Sequence, residues 1–132
     1  MIYLVDNIST KALRMFAAQL IGSVTLFFIV HVLVWFTTNT QFMDSPIKDK
    51  SLLIAMALSI PTTLAAYYAS KITYGMLEES AWAVRFIAFG TSWMVFPAMT
   101  WYLLGESMLT PKTLICTFLA ICIICVQLFW RG

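Results

Sequence analysis

From Ala81 to Leu104 the chain carries a single charge, Arg85, and otherwise only apolar, aromatic, small and hydroxyl residues. A helix needs about 20 mainly apolar residues to cross the hydrocarbon core of a bilayer. This run meets that requirement, and it settles the class of protein before any other feature is considered. Comparable runs extend from Met15 to Phe36, from Leu52 to Tyr74 and from Thr113 to Trp130. Of 132 residues, 61% are hydrophobic and 11% charged, whereas an ordinary soluble domain carries about 25% charged residues. The mean hydropathy of +0.88 agrees. The expectation is an all-α integral membrane protein with one domain over residues 1–132. It would be a four-transmembrane-helix bundle with spans near 15–36, 52–74, 81–104 and 113–130 and both termini on one side.

The formal net charge of +2 and the scattered basic residues give no footprint for nucleic acid. The first residues lack the basic segment and short apolar core of a cleaved signal, so the first span is expected to serve as the insertion signal. Lys11, Arg14, Lys71 and Arg131 fall on the terminal side, and Lys48, Lys50 and Lys112 on the other. This small bias favours cytoplasmic termini in the inner (cytoplasmic) membrane of a cell, with insertion in both orientations as the alternative.

Ser9 or Thr10 is the expected N-cap of the first helix, because either hydroxyl can accept from the free amides of a first turn. Trp35 is expected at the membrane interface, where indole is favoured. Thr37 to Ser51 reads as a polar connection. In the second span Pro61 interrupts the backbone, and Ser59, Thr62, Thr63, Ala66 and Ser70 fall near one face. Small and hydroxyl residues on one face suit close packing between membrane helices. Pro97 marks an expected kink in the third span, and Gly105 to Pro111 an expected tight turn.

Arg85 is the charge with most to explain. A cation near the bilayer centre costs roughly 3 kcal/mol on insertion scales, and such residues mark a pathway or a partner. Arg85 lies about one turn inside its span, so snorkelling to the headgroups is the other reading. Arg85, Ala88, Ser92, Phe96 and Met99 share a face that is polar only as far as Ser92. Gln19 shares a face with Gly22 and Ser23, an arrangement suited to hydrogen bonding between helices or to holding a ligand. His31 lies about 120° round the helix from Gln19 and has no Cys, Asp or Glu close by in sequence, so no metal site is expected. Cys122 and Cys125 have C-x-x-C spacing inside an apolar helix and are expected to act as small hydrophobes. No phosphate loop, nucleophile motif or pair of membrane carboxylates occurs. An enzyme is not expected, nor a cofactor.

The segment Gly90-Thr91-Ser92, followed by Trp101-Tyr102-Leu103-Leu104-Gly105-Glu106-Ser107-Met108-Leu109-Thr110-Pro111 and an apolar last span, resembles the drug/metabolite transporter superfamily. The likeness is to its small four-helix members, such as the small multidrug resistance transporters, and it covers about the last half of the chain. Ala18-Gln19-Leu20-Ile21-Gly22-Ser23 looks like the segment where those transporters carry a membrane glutamate that binds protons and cations. Gln19 occupies that position here and cannot titrate. Arg85 stands where the family has an aromatic residue facing substrate. The last span offers Cys116 and Ala120 in place of a glycine-bearing dimer motif, and the first connection is longer than usual. The resemblance thus implies a transporter-like protein acting as an oligomer on a small polar or anionic ligand, with Gln19, Arg85 and Ser92 as substrate-binding residues. Proton-coupled export of cations is not implied. The alternative is a non-transporting accessory subunit of a larger membrane complex.

Overall fold

Residues 2–77 and 79–129 are described by the structure, a computed structural model. Helix α1 runs from Ile2 to Asn39 and a 3-10 turn covers Thr40–Phe42. A second 3-10 turn, Pro46–Lys50, leads into α2, Ser51–Met76. Helix α3 is Ala81–Leu104 and α4 is Pro111–Phe129. Glu78, Trp130 and Arg131 lie outside the described residues. Helices α1, α2 and α3 are each long and apolar enough to cross a membrane, whereas the apolar stretch described for α4 is shorter.

The N-cap expected at Ser9 or Thr10 is not there, because α1 passes through both positions. The chain has neither Pro nor Gly before Gly22, so nothing interrupts the backbone ladder. At 38 residues, α1 is about 57 Å long, well beyond a hydrocarbon core of about 30 Å. Ser23 of α1 meets Thr73 of α2, and Thr73 lies within a turn of the end of α2 at Met76. The part of α1 before Ser23 therefore runs on past the end of its partner, and every residue from Thr10 to Gln19 is exposed.

The boundaries of α3 match the expected span, and its ends show why. The Ser80 hydroxyl accepts from the Ala83 amide at 3.2 Å as an N-cap. Gly105 closes the helix with φ of 70° and donates its N–H to the Trp101 carbonyl at 3.1 Å. A residue with a side chain is strained at that φ, so the glycine is a local requirement. Thr110 caps α4 by accepting from the Thr113 amide at 3.3 Å.

Helix α1 packs most extensively on α2 and less on α3, α2 and α3 touch over a smaller area, and α4 meets the others marginally, at α3. The core is accordingly thin: Phe27, Val30 and Trp35 from α1, Ala69 from α2, and Val95 from α3 are buried. Among the α4 residues whose burial is described, only Ala120 is buried, while Leu114, Ile115, Phe118, Leu119, Ile121, Ile123 and Val126 are exposed. Three helices form a packed unit and the fourth stands off it. Exposed apolar side chains on this scale suit a chain whose solvent is lipid.

Two expectations about packing need correction. Trp35 does not face the headgroups. It is 1% exposed, and its indole Nε1–H donates to Thr100 Oγ1 of α3 at 2.9 Å. The packing face of α2 is also rotated from the one expected. Ala69 and Thr73 are fully buried, with Thr62 and Ala66 half-buried beside them, whereas Ser59 and Thr63 are exposed. Those two hydroxyls are satisfied within their own helix, Ser59 donating to Met56 O at 2.7 Å and Thr63 to Ser59 O at 2.8 Å.

Candidate functional site

Hydroxyl groups supply most of the polar contacts inside the unit. Ser23 Oγ and Thr73 Oγ1 lie 2.7 Å apart, and Thr73 also donates to Ala69 O at 2.8 Å. With the Thr73 proton given to Ala69 O, the Ser23 hydroxyl donates to Thr73 Oγ1, and both residues are fully buried. Thr91 of α3 bonds back to Ile87 O at 3.0 Å and to Ala88 O at 2.9 Å. The Ser23–Thr73 pair is a contact of helix association, contributing of the order of 1 kcal/mol in a membrane, whereas Thr91 is satisfied within its own helix. The polar contact expected of Gln19 is made by Ser23, one turn further along the same face.

Gln19 itself is exposed, at the level where α2 has already ended. Arg85 is exposed too, and Ser92 is half-buried. Arg85 and Ser92 are two turns apart on one face of α3, beside the face that buries Thr91 and Val95. Within one copy of the chain, these three residues converge on no common cavity among the grooves described below.

A groove of about 830 Å³ runs between α1, α2 and the start of α3. Val30 and Val34 form one wall, and Ala81 and Val84 close the end nearer α3. From α2 it takes Thr62, Thr63, Ala66, Tyr67, Ser70, Lys71 and Tyr74. Lys71 Nζ sits 5.9 Å from the centre of the Tyr67 ring, a distance at which the cation is drawn to the ring face. The hydroxyl face of α2 read from the sequence is therefore present, but it lines an open groove more than a helix contact. A smaller groove of about 240 Å³ lies under the α3–α4 turn, where Glu106, Ser107 and Met108 fold over Trp93, Phe96 and Pro97.

Among the described residues, two buried side-chain polar atoms have no hydrogen-bond partner, Thr62 Oγ1 and His31 Nε2. The His31 ring is stacked on Phe27 at 6.5 Å between centroids and lies beside the Ala88 backbone. Among the described residues no group of three or more His, Cys, Asp or Glu comes together to hold a metal ion. Cys116, Cys122 and Cys125 are free thiols, the first and last exposed along α4.

Sequence reasoning did not single out Trp35–Thr100, Thr73 or Lys71. Trp35 looked like an interfacial anchor because an indole near a span end fits that role equally well. Lys71 was counted only as a flanking charge, since nothing local reveals that a groove opens beneath it. No family model, curated protein or solved structure matches the chain.

Proposed function

We propose that the chain is a small membrane transporter of the drug/metabolite type that works as an oligomer, with α4 as its fourth span. A small polar or anionic solute passes between copies, along surfaces to which Gln19, Arg85 and Ser92 contribute. The inner (cytoplasmic) membrane, with both termini in the cytoplasm, is the proposed setting. The observation that carries this reading is α4, a helix held off the three-helix unit with its apolar residues bare. Three packed helices enclose no aqueous route, so a pathway needs a second copy or a partner. Exposed Arg85 is free to meet either. With Gln19 in place of an acid, the solute is not a cation exchanged for protons.

Replacing Arg85 tests the chemistry. In proteoliposomes loaded with a panel of small organic anions, Arg85→Ala is expected to reduce flux at least about tenfold, the cost of losing one charged hydrogen bond to the solute. Arg85→Lys should keep part of it. Folding should be unchanged because the side chain is exposed. Flux equal to that of the parent chain removes Arg85 from the site.

The absence of any Asp or Glu from Asn7 to Asn39 of α1 and throughout α2 and α3 favours a second reading, an accessory subunit that packs without transporting. Native mass spectrometry after gentle extraction separates the two. A homo-oligomer is expected. Stoichiometric foreign subunits, with no homo-oligomer, would favour the accessory role.

A further inference from the structure

We infer that the groove between α1 and α2 holds one anionic phospholipid of the leaflet on the α2 C-terminal side. Its shape, depth and charge each point to that occupant. From Lys71 to Thr62 the groove follows nine residues of α2, about 14 Å at the rise of an α-helix. That is close to the half-thickness of a hydrocarbon core of about 30 Å, the depth one leaflet's acyl chain reaches. At about 830 Å³ it lies within the size range of small-molecule sites. Thr62 and Thr63 lie at the inner end of the α2 lining, and the groove is open along its side, so a chain can enter from the bilayer without crossing polar headgroups.

The outer end differs. Lys71, five residues before the end of α2, is the one charged residue among the described residues that line the groove. Tyr67 and Tyr74 flank it, one turn to either side. Aromatic residues of this kind sit at headgroup level, and a basic residue at the mouth of an interhelical pocket attracts an anionic headgroup. The ring of Tyr67 beneath the ammonium holds the charge at the mouth instead of letting it extend away. The site is independent of the transport proposal, since none of Gln19, Arg85 or Ser92 lines it.

The full chain is stripped of lipid in detergent, titrated with phosphatidylglycerol or phosphatidylcholine, and followed by native mass spectrometry. The expected result is one phosphatidylglycerol per chain, retained about fivefold better than phosphatidylcholine, the worth of one lysine facing an anionic headgroup. Lys71→Gln should erase that preference and Lys71→Arg should keep it. Thr63→Trp fills the groove from an exposed position and should reduce retention of both lipids while the fold survives. Equal retention of the two lipids by the parent chain would overturn the assignment, as would retention unchanged in both Lys71→Gln and Thr63→Trp. Displacement by inorganic phosphate would do so too, by showing a small-anion site. If Thr63→Trp breaks an oligomer and leaves lipid retention unchanged, the groove belongs to a second copy of the chain and the proposal fails.

Discussion

Trp35→Ala is expected to destabilise the protein by about 3 kcal/mol, measured by denaturant unfolding in detergent micelles. Aromatic-to-alanine changes in packed cores cost about 3–5 kcal/mol. The low end applies because lipid is as apolar as the interior, which leaves lost packing, and little transfer energy, to drive helices together. Trp35 is 1% exposed and joins α1 to α3 through Thr100. Its removal leaves a void at that contact and an unpaired hydroxyl on α3. Trp35→Phe separates the two contributions. It keeps most of the packing, loses the hydrogen bond, and should cost about 1 kcal/mol. A Trp35→Ala protein as stable as the parent would mean that the indole faces lipid or headgroups, as the sequence suggested.

Ala69→Leu is the second large effect. Ala69 is fully buried, one turn from the Ser23–Thr73 hydrogen bond. A methyl side chain here lets the backbones of α1 and α2 approach, which is how small residues promote association in membranes. A leucine forces the helices apart or into poor rotamers, at about 1–3 kcal/mol, and pulls Ser23 away from Thr73. The matched control is Ala57→Leu, on an exposed position of the same helix, which should be neutral. If Ala69→Leu is also neutral, the α1–α2 contact lies on another face. The hydroxyl-rich face built around Ser59 and Thr63 would then be the one to test.

These two sites show where sequence reading stops. The expected packing face of α2 was drawn through hydroxyl residues, yet a serine or threonine in a helix can satisfy itself on a carbonyl three or four residues back. Thr63 does so on Ser59, and Thr91 does so on Ile87 and Ala88. A hydroxyl therefore does not report which way its helix faces. Ser23 and Thr73 matter because they meet each other across two helices, fifty positions apart in sequence, and no local pattern encodes that. Gln19 drew attention as the more polar neighbour of Ser23, but α2 ends before it can cover that turn.

The third span was legible to the residue because its limits are local. Ser80 caps one end, Gly105 takes the left-handed turn at the other, and the residues between are apolar enough to cross a bilayer. The start of α1 was misread for the same local reason: a good cap residue was present, but no chain-breaking residue obliged the helix to begin there. By itself the sequence determined a membrane-embedded, all-helical chain with four helices, since hydropathy and backbone hydrogen bonding in lipid leave few other structures. Only the tertiary structure decided that three of the helices pack while α4 stands apart, that Trp35 turns inward, and that Lys71 guards a groove. Helix faces in lipid are apolar all round, so hydropathy does not choose among them. Steric fit between distant small residues does.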